Sequence, residues 1–543
     1  MGQVTADSGP LERGLEVLEA LGRAPAGLRP ADLVKTTGLV RSTVDRIVAT
    51  LVRIGYLRWQ GREVAATPRL MELGNAYLAG GGVAGPLAPL AARLADALEE
   101  SVSLAVPDGD GVRFVGQSPR RRTMSVAFRI GDLLPAERSA PGAIFAAGWD
   151  AARWERWERR VTGGTDRVFS VPPSQDPGVL GRFRERVRAF EETGRSVDDQ
   201  LVEPGLVAVA VPVRDAAGAV ACALSVVSHT SRHSAASLRE HAGPALAECV
   251  ARMQEALAAP PAAPEPAPGL DRSRDLKREL GPGFLQSLDR GLAVLAALGG
   301  RPGGMTISEV AAATGQPRAT ARRSLLTLCE LGHAAAAGRR FVPLPRVLDL
   351  GYAALGGLSF EDVARPHLRD LVERVHDSAS LAVLDGTDIR YVARVATSRI
   401  MRVAIHVGTR FPAYATSMGR VLLAGLPEDR AAGLIARSDR RPLTARTRTD
   451  PAELAGLVAD ARRDGFALVD QELEEGLRSL AVPVRDRAGR VVAALNAAGH
   501  AGTEPAGRTC ERLLPALREA AAAIEADLAV LGAYQELPGV SRP

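Results

Sequence analysis

The sequence predicts an α+β protein made of two tandem copies of one unit, each a winged helix-turn-helix domain followed by an antiparallel-sheet domain. Three observations support this fold class. The chain repeats itself in one register, each copy opens with a helix, a glycine turn and a second helix, and each continues with strand pairs that turn at glycine. A chain of 543 residues is long enough for three or four such domains.

Composition and cysteine spacing favour a globular cytoplasmic protein. Hydrophobic residues make up 46% and charged residues 24% of the chain, and no apolar run approaches the roughly 18 residues of a membrane-spanning helix. The four cysteines lie far apart without a CxxC pair, which fits a reducing compartment. The net charge of +5 is small, so it supports nucleic-acid binding only weakly. We expect no cofactor, no metal and no membrane contact.

The internal repeat is read from identical residues at a constant spacing. Leu11-Glu-Arg-Gly-Leu-Glu-Val-Leu18 returns 277 residues later as Leu288-Asp-Arg-Gly-Leu-Ala-Val-Leu295. After a deletion the spacing becomes 271, as Val211-Pro-Val-Arg-Asp215 and Val482-Pro-Val-Arg-Asp486 show. One register kept over so long a stretch indicates a duplication.

The repeat and the composition between the copies place the domain boundaries. Prolines crowd residues 258–269, which favours an extended spacer over a packed helix, and a charged stretch follows. We expect a winged helix-turn-helix at 1–78, an effector-binding-like sheet domain at 79–257, a proline-rich linker at 258–282, a second winged helix-turn-helix at 283–355 and an effector-binding sheet domain at 356–535.

Each copy starts with the pattern of a helix-turn-helix. In the first copy a short helix over 30–37 is followed by Gly38, which can take the left-handed conformation of a tight turn. A second helix over 42–54 then carries an apolar face. The second copy repeats the plan with Gly315 and a helix over 317–331.

Basic and hydroxyl side chains at the starts of these second helices indicate DNA binding. A helix in the major groove contacts guanine edges and phosphates through arginine, and phosphates or bases through serine and threonine. A β-hairpin wing follows each helix and carries arginine at its tip. The candidate DNA-binding residues are Arg41, Ser42, Thr43, Arg46, Arg62, Arg318, Thr320, Arg322, Arg323 and Arg339. The alternative is a three-helix packing unit with a solvated basic face, and Arg46 and Arg323 fit a phosphate clamp or a surface charge equally well.

The rest of each copy is predicted to be a sheet flanked by helices. Hairpins with an Asp-Gly turn are expected over 103–115 and 380–392. A later strand pair over 207–227 turns at Asp215-Ala-Ala-Gly218, and a long helix closes each copy. These elements form an α+β domain with an antiparallel sheet.

Two segments of the second copy, Val407–Ala424 and Asp470–Val484, carry a resemblance to a known family. The chain resembles the IclR-type bacterial regulators, and this copy resembles the branch that controls protocatechuate, 4-hydroxybenzoate and β-ketoadipate catabolism. The resemblance covers nearly all of both copies and implies a transcription regulator that binds double-stranded operator DNA and a small carboxylate effector. The family implies dimers or tetramers of single-copy chains. The tandem fusion departs from this, and we expect a pseudo-dimeric chain that can form a homodimer.

The resemblance also implies an effector pocket between the sheet and its loops. Carried onto the second copy, the pocket comprises Ser417, Met418, Gly419, Asp470, Leu477, Ser479, Asn496 and Ala498. A helix that starts near Ser417 offers free N–H groups to a ligand carboxylate. Arg399 or Arg402 is a candidate bidentate partner for that carboxylate.

The first copy departs from this pocket pattern. Its matching loop is Ala140-Pro-Gly142, where proline removes one N–H donor, and its strands carry Leu206, Ala208, Ser225 and Val227. We expect that the first copy has lost effector binding, with binding of a more apolar molecule as the alternative. Because the starts of the two recognition helices differ, we also expect an operator with two non-identical half-sites.

Two other classes of function have less support. An enzyme is disfavoured because the sequence has no GxSxG elbow, P-loop, HExxH or strand-linked GxGxxG. A small-molecule-binding or interaction scaffold, using its helix-turn-helix units only for assembly, is the alternative; specific, salt-dependent DNA binding would separate the two. His229, His233 and His241 are a weak metal candidate because a serine-rich loop and Pro244 surround them.

Overall fold

A computed structural model describes residues 9–24, 26–120, 128–163, 168–174, 176, 178–259, 271, 273–397, 405–502 and 505–532. The chain divides into two compact units, Met1–Gly357 and Leu358–Pro543. The first unit holds both winged-helix domains and the first sheet domain, and the second unit holds the second sheet domain. No helix within the described ranges is long and apolar enough to cross a membrane.

The first winged-helix domain packs the apolar face of each helix inward. Its elements are α1 (Pro10–Gly22), α2 (Pro30–Thr37), α3 (Arg41–Arg53), β1 (Leu57–Gln60) and β2 (Glu63–Ala66). Gly38 follows α2 with φ of 71°, the left-handed conformation that glycine adopts without strain, and this turns the chain into α3. Val44, Ile47 and Leu51 lie at helical spacing along α3 and are fully buried.

The first sheet domain has a six-stranded antiparallel sheet with strand order β5-β4-β3-β8-β7-β6. Its elements are α4 (Met71–Gly80), α5 (Ala84–Leu98), β3 (Ser101–Asp108), β4 (Gly111–Ser118), β5 (Leu133–Pro135), α6 (Ala140–Ala146), α7 (Ala151–Gly163), α8 (Val179–Thr193), β6 (Ser196–Asp199), β7 (Leu206–Arg214), β8 (Val220–His229) and α9 (Ala235–Ala258). α5 and α9 pack together near one face, and α6 lies on the other.

The second half of the proline-rich linker that was predicted over 258–282 is folded. Residues 273–280 form helix α10 (Ser273–Leu280), whereas 260–270 lie outside the described residues. Leu, Lys, Arg and Glu in this stretch all favour helix. Asp271 anchors the start of the helix through an ion pair with Arg290 at 2.6 Å.

The second winged-helix domain repeats the first with a stronger helix cap. Its elements are α11 (Gln286–Ala297), β9 (Met305–Thr306), α12 (Ile307–Thr314), α13 (Arg318–Glu330), β10 (Ala334–Ala337), β11 (Arg340–Pro343) and α14 (Tyr352–Leu355). The Thr306 hydroxyl accepts from the Glu309 N–H at 3.3 Å, and the Glu309 carboxylate accepts from the Thr306 N–H at 2.7 Å. This reciprocal capping box satisfies N–H groups that a helix start leaves unpaired.

The second sheet domain repeats the strand order of the first, as β14-β13-β12-β17-β16-β15. Its elements are α15 (Phe360–Val375), β12 (Ser378–Asp385), β13 (Asp388–Val395), β14 (Arg410–Pro412), α16 (Ser417–Ala424), α17 (Glu428–Arg437), α18 (Pro451–Asp464), β15 (Ala467–Asp470), β16 (Leu477–Arg485), β17 (Val491–His500) and α19 (Ala506–Leu531). The β-bulges also lie at equivalent positions of the repeat, after the pairs of Leu104 in β3 and of Leu381 in β12. α15 and α19 cover one face, and α16 covers the other.

The two winged-helix domains pack against each other through α1 and α11. A Cβ atom on Gly291 would lie 2.5 Å from the Leu11 methyl carbons, and one on Gly14 would overlap Leu288. Gly14 and Gly291 are equivalent positions of the repeat, as are Leu11 and Leu288. Equivalent residues therefore meet across a pseudo-twofold axis, as the protomers of a symmetric dimer would.

We predict that Gly291→Val destabilises this helix contact. The new side chain must displace Leu11 from a packed site, so we expect the free energy of unfolding to fall by about 1–3 kcal/mol more than in the control. The control is Gly181→Val, a helical glycine of α8 whose Cβ position has no atom within 4 Å. Urea unfolding measures both variants, and equal losses would contradict the close approach of α1 and α11.

Candidate effector and DNA-binding sites

The recognition helices α3 and α13 present their predicted DNA-contacting side chains to solvent. Both helices bury one apolar face, so that the polar positions lie on the opposite side. The turns β1–β2 and β10–β11 carry the wing-tip arginines. All ten candidates are exposed or half-exposed: Arg41, Ser42, Thr43, Arg46, Arg62, Arg318, Thr320, Arg322, Arg323 and Arg339.

The two recognition helices differ in the charge they leave available. On α3, Arg41 is paired with Asp45 one turn later at 2.8 Å. On α13 the position equivalent to Asp45 is Arg322, and neither Arg318 nor Arg322 has an ion-pair partner among the described residues. The N-terminal half of the second helix is therefore more strongly positive than that of the first.

The linker adds a further difference, which sequence reasoning missed. Arg46 of α3 donates from Nη2 to the carbonyl oxygen of Pro282 at 3.0 Å. Arg53 forms an ion pair with Glu279 of α10. The segment after the proline-rich stretch thus lies along the first recognition helix. The helix-forming residues of this segment could have predicted helix α10. They could not predict that the segment packs along α3, because that contact depends on the tertiary fold.

Several predicted pocket residues of the second copy meet on the sheet face that α16 covers. Ser479 lies opposite Ala498 in the β16–β17 register, and Asn496 lies opposite Ala481 two residues along. Because side chains alternate between faces, these residues and Leu477 share one face. The Ser417 hydroxyl at the start of α16 is 2.9 Å from the Ser479 hydroxyl. The helix start and the sheet therefore form one polar cluster.

The start of α16 is held by tight packing that only glycine permits. The Thr416 hydroxyl caps the helix by accepting from the Gly419 N–H at 3.0 Å. A Cβ atom on Gly419 would overlap the Ala413 carbonyl oxygen. Met418 is buried in the core beneath. Gly419 and Met418 thus position the helix end, whereas Ser417 faces the sheet.

Asp470 does not join this cluster. It lies opposite Arg478 in the β15–β16 register and accepts from Arg478 Nε at 2.9 Å. Arg478 also donates to Thr509 of α19, which covers the other face of the sheet. Because neighbouring strand residues point to opposite faces, Asp470 and Ser479 lie on different sides. The hydrogen bond from Arg478 holds the pKa of Asp470 below its usual range.

Arg394 is a pocket candidate that sequence reasoning missed. It lies opposite Ser380, donates to the Ser380 hydroxyl at 3.2 Å, and is half-buried. Ser380 in turn lies opposite Asn496, so Arg394 belongs to the polar face. Burial lowers the pKa of this arginine, and no described carboxylate is paired with it. The alternation of β13 was a usable signal, but its register is shifted by the bulge.

The arginines that had been proposed for the ligand carboxylate, Arg399 and Arg402, lie outside the described residues. Asn496 is buried with its side-chain oxygen unpartnered within the described part of the chain. It therefore adds an unsatisfied acceptor to the face that carries Arg394.

The first copy lacks the hydroxyl pair and the arginine of the polar cluster. The serine pair and the arginine become Ala140, Ala208 and Gln117 at the equivalent positions. Leu206 and Val227 are 1% and 3% exposed, whereas their counterparts Leu477 and Ala498 are only half-buried. The face that is accessible in the second copy is closed in the first.

A buried ion pair joins α16 to the loop after β15. Arg420 and Glu472 are 2.6 Å apart, and their side chains are 3% and 9% exposed. The Glu472 carboxylate also accepts from the Arg448 N–H at 3.2 Å. These contacts fix the distance between the helix that carries Ser417 and the sheet.

The histidine group does not form a metal cluster. His233 stacks on His241 with ring centroids 5.0 Å apart, and His229 bonds to the Ser231 hydroxyl at 2.9 Å. Across the described ranges, no group of three His, Cys, Asp or Glu side chains could hold a metal ion.

Paired winged helices and sheet domains with a polar pocket define a ligand-responsive DNA-binding regulator. The chain belongs to the IclR family. Residues 75–254 and 352–526 match the bacterial transcriptional regulator IclR C-terminal domain, and residues 10–61 and 287–335 match the IclR helix-turn-helix domain. These matches confirm the predicted tandem α+β fold and the predicted class, a transcription regulator and not an enzyme.

Single-copy relatives match about half of the chain. The Pca regulon regulatory protein of Pseudomonas putida is 43% identical over 44% of this chain and 81% of its own. The p-hydroxybenzoate hydroxylase transcriptional activator of Acinetobacter baylyi is 31% identical over 44% of this chain and 90% of its own. A crystal structure of a regulator from Rhodococcus sp. RHA1 is 51% identical, covering 46% of this chain and 99% of that chain with a TM-score of 0.44.

We predict that Glu472→Gln destabilises the protein because Arg420 is then left buried without a counter-charge. Breaking one side of a buried ion pair costs about 3–5 kcal/mol of unfolding free energy. Asp460→Asn, which removes one of the two exposed acidic partners of Arg463, serves as the control and is expected to change stability little. Urea unfolding compares the two; similar losses would show that the buried pair does not hold α16 in place.

Proposed function

We propose that the second copy senses a small organic acid that is aromatic or derived from a cleaved aromatic ring. The observation that carries this proposal is Arg394, a half-buried guanidinium without a carboxylate partner among the described residues. A ligand carboxylate beside it would gain charge-assisted hydrogen bonds in a partly desolvated site. The Ser417 and Ser479 hydroxyls offer further donors and acceptors for ring hydroxyls or a second carboxylate.

The names of two relatives support this ligand class. One regulates the Pca regulon, and the other activates p-hydroxybenzoate hydroxylase transcription. The chain therefore regulates the catabolism of aromatic compounds in this proposal. Protocatechuate, 4-hydroxybenzoate and β-ketoadipate are the ligands to test first.

In the same proposal the first copy no longer binds an effector. Ala140 and Ala208 remove the hydroxyl pair, and Gln117 removes the positive charge. The buried side chains of Leu206 and Val227 close the equivalent face. One chain then carries one effector site of this kind.

We predict that Arg394→Gln, which introduces the first copy's residue, weakens effector binding by about tenfold or more. Calorimetry with the three acids on the full chain measures the affinity. Ser417→Ala and Ser479→Ala should also weaken binding, because they remove the facing hydroxyls. Ser225→Ala in the first copy is the control and should leave the affinity unchanged. Unchanged binding in the Arg394 variant, or a loss in the Ser225 variant, would contradict the assignment to the second copy.

We further propose that both winged helices of one chain bind one operator. Both recognition helices belong to one compact unit in which α1 packs on α11 with pseudo-twofold symmetry. Their different charges favour an imperfect palindrome, because Asp45 on one helix corresponds to Arg322 on the other. Effector binding shifts the spacing of the winged helices in this scheme. Two chains pair into a homodimer, which sedimentation would detect.

We predict that Arg322→Asp weakens operator binding by about tenfold and lowers the salt dependence of binding. The substitution places the first copy's acid on α13 and removes one cation from that half-site. Footprinting should then lose protection in one half of the operator only. Arg188→Asp, an exposed residue of α8, is the control. Equal loss in both half-sites would overturn the assignment of one helix to each half.

A further inference from the structure

A large cavity lies within the first compact unit, whereas the residues of the proposed effector site belong to the second. Its volume is about 910 Å³, enough for a small organic molecule. The first sheet domain lines one side with Asp108, Arg129 and Phe169, and the two winged-helix domains line the other with Arg23, Arg346 and Tyr352. A molecule bound here would contact three domains at once.

The acidic residues of this cavity already have partners. Glu19 is paired with Arg346 at 2.9 Å. Asp108 and Asp349 both accept from the buried Arg113, at 2.6 and 2.7 Å. Asp132, a further lining residue, accepts from the Ser170 hydroxyl at 3.1 Å. Glu19, Asp108 and Asp349 are thus each paired with an arginine, whereas Asp132 is held by neutral donors.

Two arginines of the lining remain unpaired. The guanidinium groups of Arg23 and Arg129 are exposed at the cavity and have no ion-pair partner among the described residues. Arg113 is fully buried beside it, and its Nη2 atom has no hydrogen-bond acceptor in the described part of the chain. Unpaired arginines in a cavity that is also lined by aromatic side chains offer charge-assisted hydrogen bonds to an organic anion.

We propose that this cavity is a second ligand site, which binds a small organic or inorganic dianion between Arg23 and Arg129. The two cations come from different domains, so one anionic group can meet each of them. Phe169 and Tyr352 provide rings against which the body of a dicarboxylate packs. This site is independent of the proposed effector site, which lies in the other compact unit.

The site is built on the contact that ties the first sheet domain to the second winged helix. Arg113 of β4 donates to Asp108 on its own sheet and to Asp349, next to α14. It also donates to the Gly131 carbonyl oxygen at 2.9 Å, and Gly131 lines the cavity. A bound dianion therefore stabilises the docked arrangement of these domains, and through it the positions of both recognition helices.

The test uses the full chain with Ser417→Ala and Ser479→Ala, so that binding at the effector site is weakened. Phthalate, adipate and inorganic phosphate are titrated by calorimetry, which separates a rigid dicarboxylate, a flexible one and a phosphate. We expect at least one of them to bind at one site per chain. Arg23→Gln with Arg129→Gln should weaken that binding by about tenfold or more, because both charge-assisted contacts are lost.

The matched control is Arg188→Gln with Arg239→Gln, two exposed arginines of α8 and α9 that do not line the cavity. It removes the same charge and should change the affinity by less than about twofold. Hydrogen exchange gives a second readout, with slower exchange expected at 129–133 and 345–352 when the dianion is present. The proposal is overturned if no dianion binds at millimolar concentration, if both double variants weaken binding equally, or if protection appears only in 358–532.

Discussion

The close contact of α1 with α11 is the constraint on which the arrangement of this chain depends. Glycine inside a helix costs about 0.5–1 kcal/mol relative to alanine, yet each of these helices has one at the contact, Gly14 and Gly291. The missing side chains let Leu11 and Leu288 bury themselves against the facing helix. This contact between equivalent helices of the two copies is made within one chain. Its formation does not depend on protein concentration, and each half can diverge without losing its partner.

Divergence of the two sheet domains follows from that independence. The strand order, the bulges and the closing helices are kept, because they bury the apolar core. The polar face is not kept. In the first copy Ser103 and Ser225 still lie opposite each other, but both hydroxyls are buried and unpartnered within the described residues. Such buried, unpartnered groups cost about 1–3 kcal/mol each.

Local sequence patterns are enough to predict the fold, but they predict only part of the candidate effector site. Repeats, glycine turns and alternating strands predict both winged helices and both sheets, since each depends on nearby residues. The face of Asp470 depends on its register against Arg478, and a resemblance in sequence does not contain that register. Arg394 lies two residues after Val392, the extra residue of the bulge in its own strand β13, and this bulge changes the residue that Arg394 faces. Helix α10 was predicted as spacer because its neighbouring prolines dominate the composition, although its own residues favour helix.

Ligand control of such a chain requires that a ligand bind one arrangement of the recognition helices better than another. The two recognition helices of the first unit make different contacts, and such a ligand can act on that difference. Arg46 of α3 is hydrogen-bonded to Pro282 of the linker, whereas Arg323 of α13 has no partner among the described residues. A ligand-induced movement of the domains therefore need not displace the two recognition helices equally. Binding free energies are reciprocal, so operator DNA that selects one arrangement must change ligand affinity by the same factor. A ligand lodged between the winged helices and the sheet domain would be coupled to DNA directly, through the residues that position α13.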